Sequence, residues 1–333
     1  MNLEKLGHFL SSEPGFRIKQ IERSLFKDFN ENWDDITELP LKLREVLKKE
    51  VDLSINGLIC KSEDSGTLKA IIKLEDGISV ETVLMMHKDL RNTVCVSSQA
   101  GCAIGCKFCK TGEIGLKRNL KIQEIIEQVL FFSRYLKTSD KRITNVVFMG
   151  MGEPLLNYDN FINSLKILND ENKFNIGQRK ISVSTCGIVE KIKMLADENL
   201  QINLAVSLNA PNDRTRREIM PIAQKYPFNE LLSSVKYFIA KTNRRVMFEY
   251  VLLRNINDMA ECAEELSRKI KGFLCFVNLI PFNGEDIGKR PKAERIKEFK
   301  TILAKNKIAF TQRYRFGDDI DAACGQLVFS KDK

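Results

Sequence analysis

The stretch GCAIGCKFCKTGEIG (101–115) spaces Cys102, Cys106 and Cys109 as C-x3-C-x2-C. Three thiolates this close along a chain converge on one inorganic centre only if the backbone turns tightly, and Gly101 and Gly105 permit that turn. A structural zinc ion needs a fourth nitrogen or sulfur ligand at comparable spacing. The chain has two histidines, His8 and His87, and neither lies in a metal-binding repeat. A cluster of four irons held by three cysteines leaves one iron open to a ligand from outside the protein. That centre is the expected one. The bland alternative is three buried cysteines packed as small apolar side chains.

Other groups able to do chemistry stand at the ends of short apolar runs. Gly152-Glu153 follows FM in FMGMGEP, Ser184 lies in VSTCG, Ser207-Leu208-Asn209 in VSLN and Asn283 in IPFN. At the C-terminal edge of a barrel sheet such residues bind ligands, and a carboxylate there can hold an ammonium group. Read alone, GEP is as good a strand-to-helix turn with a first-turn acid. Cys324 sits in the polar segment GDDIDAACGQL (317–327), and Cys95 lies seven residues before the cysteine loop. Taken singly each reads as a buried structural thiol, as do Cys60, Cys186, Cys262 and Cys275. Glu81, in VETVL, is either a solvated hairpin charge or a proton acceptor.

The elements that must position these groups are legible as two blocks. Residues 1–90 are expected to form a helical and β-hairpin accessory domain. Ile18, Ile21, Leu25 and Phe26 recur at helical spacing, LPLKLREVLKKEV (39–51) starts at a proline, and TLKAIIKL (67–74) and ISVETVLM (78–85) flank an Asp76-Gly77 turn. From 91 to 333 apolar runs at 93–99, 145–150, 180–187, 202–208, 245–253 and 276–282 alternate with helical stretches at 122–136, 190–200 and 261–271. Near-continuous apolar strands with crossover helices predict an α/β fold whose parallel sheet is covered on both faces. Six such units fit a partial (β/α)6 barrel better than an ordinary doubly wound sheet.

Composition is that of a globular protein with a mild positive balance suited to a polyanionic partner. Among 333 residues, 53 Lys+Arg against 44 Asp+Glu give a formal charge of +9, and 43% hydrophobic residues suffice for a core. No stretch approaches the roughly 18 apolar residues of a membrane span, and the N-terminus lacks a signal-peptide run, so a cytoplasmic protein with no membrane partner is expected; it is also expected to be a monomer. Nine cysteines in such a compartment favour metal or redox chemistry over a disulfide framework.

The cysteine loop resembles that of the radical S-adenosylmethionine (SAM) superfamily, in which SAM chelates the fourth iron. The longer string CVSSQAGCAIGCKFCKTGEIGLKRNL, together with DIDAACGQL, resembles the RlmN/Cfr family of RNA adenine methyltransferases across essentially the whole chain. The resemblance implies a [4Fe-4S] cluster on Cys102, Cys106 and Cys109, and SAM, two per turnover, held by Gly152, Glu153, Ser184, Ser207, Leu208, Asn209 and Asn283. It implies that Cys324 is methylated and carries the methyl carbon to the adenine ring, that Glu81 removes the ring proton, and that Cys95 closes a Cys95–Cys324 disulfide to release the product. Two departures stand out: family members usually carry His where this chain has Asn209, and a small residue where it has Lys110.

The implied substrates are 23S rRNA at the peptidyl transferase centre and the adenine 3′ to the anticodon in some tRNAs, methylated at carbon 2. The implied electron donor is a flavodoxin or ferredoxin. Pro154 in GEP favours this RlmN-type reading over a Cfr-type enzyme that methylates carbon 8 and confers antibiotic resistance. Two rivals from other classes are a radical SAM enzyme acting on a small molecule or protein, and an RNA-binding module with a structural zinc. Basic candidates for RNA contact are Lys117, Arg118, Lys121, Arg214, Arg216, Arg217, Arg313 and Arg315. The target base must leave its stack to enter a closed site.

Overall fold

A computed structural model describes residues 3–11, 13–63, 66–282, 289–313 and 317–327. Its N-terminal part opens with α1 (Leu3–Leu10), α2 (Gly15–Phe26) and α3 (Leu41–Glu50), the last two entered through Pro14 and Pro40. Their apolar stripes bury Ile21, Leu25 and Leu47, and the Trp33 indole N–H donates to Val51 O at 2.6 Å. A fully buried side chain of this size contributes roughly 1.5–3 kcal/mol, so three short helices hold together by packing and not by propensity.

Next come β1 (Gly57–Lys61), β2 (Thr67–Lys73) and β3 (Ser79–Met86), all antiparallel. The hairpin turns at Asp76-Gly77, with Gly77 at φ 82°. β1 has no counterpart among the expected elements, because GLICK is too short and too irregular to show a period of two. β3 pairs antiparallel with β4 (Asn92–Cys95), and from there the sheet continues in parallel.

The stretch expected as one strand over 93–99 is divided. β4 ends at Cys95, and Gln99–Gly101 forms β5, which pairs with β6 (Leu116–Asn119) in a separate two-stranded ribbon. Between them lies the short helix α4 (Lys110–Glu113). The barrel then proceeds through α5 (Ile122–Lys137), β7 (Asn145–Phe148), α6 (Tyr158–Asn169), β8 (Ile181–Thr185), α7 (Val189–Asp197), β9 (Asn203–Ser207), α8 (Asp213–Ile219), α9 (Phe228–Thr242), β10 (Val246–Leu252), α10 (Ala260–Ile270), β11 (Cys275–Pro281), α11 (Ala293–Lys305) and β12 (Phe310–Gln312).

The main sheet has the order β1-β2-β3-β4-β7-β8-β9-β10-β11-β12. It is open, and its six expected parallel strands, β4 to β11, make a partial (β/α)6 barrel; β12 adds a further parallel strand beyond them. Buried strand side chains meet the helices outside, as where Phe148 and Phe161 stack edge to face with centroids 4.9 Å apart. Arg134 on α5 donates to Leu53 O at 2.8 Å and Asn30 O at 3.0 Å, tying the N-terminal segment to the barrel wall. Among the described residues no helix is long and apolar enough to cross a membrane.

Candidate active site

Strand register determines which side chains share the inner face. Glu249 on β10 pairs with Ser207 on β9 and Asn278 on β11, Asn278 pairs with Thr311 on β12, and Ser184 on β8 pairs with Ala205. Side chains of paired residues point to the same side of a sheet. One cavity at the C-terminal ends of these strands is lined by Cys102, Cys106, Cys109, Gly152, Glu153, Ser184, Ser207, Asn209, Glu249, Arg313 and Cys324. Most of the residues singled out from sequence therefore meet. Leu208 is wholly buried behind the wall, Asn283 lies outside the described residues, and Cys95 and Glu81 stand on the adjoining strands β4 and β3.

The β5–β6 ribbon closes the cysteine loop at its base. Cys102 N donates to Gly115 O at 3.1 Å, and Gly101 has φ 84°. A Cβ on Gly101 would fall 1.9 Å from Gly115 O, so no other residue fits that crossing. Farther along, Lys107 N donates to Ile219 O at 3.0 Å, docking the loop on the end of α8.

The three thiols fit an iron–sulfur cluster better than a single ion. Among the described residues no three His, Cys, Asp or Glu side chains converge closely enough to hold one metal ion. Cys102, Cys106 and Cys109 instead stand apart around a common cavity, as a cluster offering each thiolate its own iron requires. Burial pushes the Cys102 thiol up to about 12 and that of Cys106 well above the ordinary thiol range. A bound metal centre would favour the thiolates that burial here disfavours.

Glu153 is 3% exposed, and its two carboxylate oxygens accept from Leu155 N at 3.0 Å and Cys186 N at 2.6 Å. Burial raises its pKa while these two N–H donors oppose the rise. The carboxylate keeps lone pairs for an ammonium entering from the cavity. Gly152, at φ 100°, sits against Gln99; an added Cβ would lie 2.5 Å from the Gln99 Cβ. Gln99 Oε1 in turn accepts from Glu153 N at 2.8 Å.

Asn209 does a job that its type suits. It has φ 56°, its Oδ1 accepts from Val251 N at 2.9 Å, and its carbonyl accepts from Asn257 Nδ2 at 2.7 Å. Asparagine tolerates the left-handed region better than most residues. It thus clips the end of β9 to β10 while its amide borders the cavity. Lys110, the other departure, binds the C-terminal segment: its N–H donates to Gly325 O at 2.8 Å and its Nζ lies 3.4 Å from Asp321 Oδ1.

That segment carries Cys324 to the cavity. Thr111 Oγ1 donates to Leu327 O at 2.6 Å, and Asp319 accepts from Ser62 Oγ at 2.5 Å and Glu63 N at 2.8 Å. It is thereby pinned to the cysteine loop at one end and to the β1–β2 hairpin at the other. Cys324 is open to the cavity, but the walls strip it of bulk water. Burial raises its pKa, the hydrogen-bonded guanidinium of Arg313 pulls it down, and the carboxylate of Glu249 pushes it up. Glu249 accepts from Asn278 Nδ2 at 2.8 Å through one oxygen, and its buried Oε1 has no partner among the described residues. Cys95 is buried, and burial, reinforced by Cys324, pushes its thiol up to about 12. Both cysteines are free thiols, so the disulfide that the resemblance implies is not formed in this state of the protein.

Glu81 is not a solvated hairpin charge. It is 1% exposed, and Lys69 Nζ lies 3.1 Å from its Oε1. Lys69 and Cys95 both pair with Val83, on opposite flanks of β3, so the ion pair and the thiol stand on neighbouring strands of one sheet.

Three of the basic residues expected to meet RNA are engaged elsewhere. Arg216 is completely buried and donates to strand-end carbonyls. Arg313 lines the cavity against Cys324. Arg118 forms a two-pronged pair with Glu124 at 2.7 and 2.8 Å and also binds Asp76 at 2.7 Å. Only sequence neighbours of opposite charge could have hinted at the last; nothing local distinguishes the first two. Lys117, Lys121, Arg214 and Arg217 are exposed, and Arg315 lies outside the described residues.

Residues 96–270 match the radical SAM superfamily. Over 317 residues the chain is 48% identical to a probable dual-specificity RNA methyltransferase RlmN of Dictyoglomus turgidum, covering 95% of this chain and 91% of that protein. It is also 48% identical to a protein of the same description from Clostridium novyi, over 95% of this chain and 92% of the other. The fold superposes on a radical SAM methyltransferase from Sphaerobacter thermophilus with a TM-score of 0.94 at 42% identity, covering 99% of this chain and 98% of that one.

Proposed function

The chain belongs to the RlmN family of radical SAM RNA methyltransferases, and from that premise we propose that it adds a methyl group to carbon 2 of an adenine in 23S rRNA and of the adenine 3′ to the anticodon in some tRNAs. The observation that carries the reading is the place of Cys324. A thiol outside the C-x3-C-x2-C pattern faces the same cavity as Cys102, Cys106 and Cys109.

Carbon 2 of adenine has no lone pair with which to attack a sulfonium methyl group, whereas a thiolate does. When bound, the cluster and SAM would supply the methyl group and, with an electron from a flavodoxin or ferredoxin, the radical chemistry that activates it. Cys102, Cys106 and Cys109 hold the cluster. Gly152, Glu153, Ser184, Ser207 and Asn209, which line the cavity, would hold SAM, with Glu153 against its ammonium.

Cys324, drawn toward its thiolate by Arg313, takes up the methyl carbon and bears it to the ring in a covalent adduct. Glu81 accepts the ring proton, and Lys69 beside it stabilises the carboxylate that must do so. Cys95 attacks the sulfur of Cys324; the sulfur–carbon bond breaks, its electron pair passes to the exocyclic carbon, which takes up a proton to complete the methyl group, and a transient disulfide remains. A donor of two electrons then restores both thiols.

Mass spectrometry of ribosomal adenine from a deletion strain and its complemented counterpart tests the assignment. Methyl at carbon 2, restored by the chain and not by its Cys324→Ala variant, is the expected result. Methyl at carbon 8 overturns it.

A further inference from the structure

Arg216 is 0% exposed, yet no carboxylate is paired with it among the described residues. Its Nη2 donates to Cys186 O at 2.5 Å and Ser207 O at 3.5 Å, and its Nε to Leu208 O at 3.3 Å. Its Nη1 is buried with no hydrogen-bond partner. The nearest acid on its own helix, Asp213, is used elsewhere: its Oδ1 accepts from Phe228 N at 2.9 Å and lies 3.9 Å from Arg217 Nη2. A guanidinium keeps its charge in any folded protein. Neutral carbonyls offset only part of what burying an unpaired ion costs. An anion close by would offset what remains of that cost.

The neighbouring cysteine loop is where such an anion would stand. Met220 follows α8, donates its N–H to Arg216 O at 2.8 Å and lines the same cavity as Cys106. Ile219 O receives the N–H of Lys107, the residue after Cys106. Arg216 therefore sits one helical turn behind the point where α8 meets the cysteine loop. Cys186 ties this cation to the site's carboxylate, because its carbonyl binds Arg216 and its N–H binds Glu153.

We propose that Arg216 is a positioning residue for the cluster: a fixed buried cation that offsets the negative charge of the three thiolates and raises the reduction potential of the centre. A cluster held by three thiolates is anionic and gains a further negative charge on reduction. A nearby fixed cation therefore stabilises the reduced form more than the oxidised one. The three carbonyl bonds hold the guanidinium still, so its field acts without reorganisation during turnover. This inference rests on membership of the radical SAM superfamily and is independent of the target carbon.

The test is an anaerobic redox titration of the reconstituted full chain, followed by electron paramagnetic resonance without SAM or RNA. Iron per chain and circular dichroism serve as controls. Arg216→Gln is expected to load iron normally and to reduce at a lower potential than the parent protein, while Arg216→Lys, which keeps the charge, recovers most of the shift. An unchanged potential in iron-loaded Arg216→Gln overturns the proposal. Equal shifts in the two variants overturn it as well, since lost carbonyl bonds would then explain both. Failure of both variants to hold iron makes the residue structural and ends the proposal. A carbon-8 product from the intact enzyme, by contrast, leaves it standing.

Discussion

The amide of Lys110 donates to the carbonyl of Gly325 at 2.8 Å, joining the residue after the last loop cysteine to the residue after Cys324. The methyl-carrying thiol and the cluster loop are thus parts of one hydrogen-bonded unit, although almost the whole barrel separates them along the chain.

That proximity sets the reactivity of Cys324. With its pKa raised, the neutral thiol persists to higher pH than in a free cysteine, and alkylation, which needs the thiolate, sets in late. Peptide-resolved iodoacetamide labelling across pH should show a midpoint above the ordinary thiol value. Arg313→Met removes the group that pulls the pKa down, so its midpoint moves higher still, with about a tenfold slower rate near pH 8 for each pH unit by which the midpoint rises. A midpoint unchanged by Arg313→Met contradicts the pairing of that guanidinium with the thiol.

Lys69 and Glu81 form a buried pair, and breaking one side strands the other charge. Lys69→Met is expected to cost about 3–5 kcal/mol in chemical denaturation, and Lys69→Met with Glu81→Gln markedly less, because no isolated charge remains. Equal losses in the single and double variants would show that the ion pair is not the cause.

Gly101→Ala puts a methyl group onto Gly115 O and forces an unfavourable backbone angle. The change should cost about 3 kcal/mol or more, read as a lower melting temperature together with reduced iron content.

Asn209→Ala leaves Val251 N without its acceptor at the end of β10. A loss of about 1–3 kcal/mol is expected. Asn209→Asp, which keeps the accepting oxygen, should retain more of the stability when both are compared by urea unfolding.

RNA affinity should separate exposed cations from internal ones. Removing Lys117, Lys121 or Arg214 is expected to weaken binding to all sequences alike. For each phosphate that the variant no longer neutralises, the slope of log affinity on log salt should fall by about 0.7–0.9. Arg216→Lys, being internal, should leave that slope unchanged in a filter-binding series.

Local patterns along the chain were enough to determine a great deal. The C-x3-C-x2-C spacing defines a centre within one loop, apolar runs alternating with amphipathic helices define the barrel, and the Asp76-Gly77 turn defines the hairpin, since each signal spans only a few residues. The ribbon that closes the loop is not legible in the sequence, because Gln99–Gly101 and Leu116–Asn119 are too short to display a period. The tertiary structure alone decided which charges are internal. Arg216, Arg313 and Glu81 look like solvated residues in their own segments, and their burial depends on partners such as Cys186, Cys324 and Lys69. An electrostatic environment is made by whatever the fold brings within a few ångströms, and no pattern of neighbours in sequence encodes it.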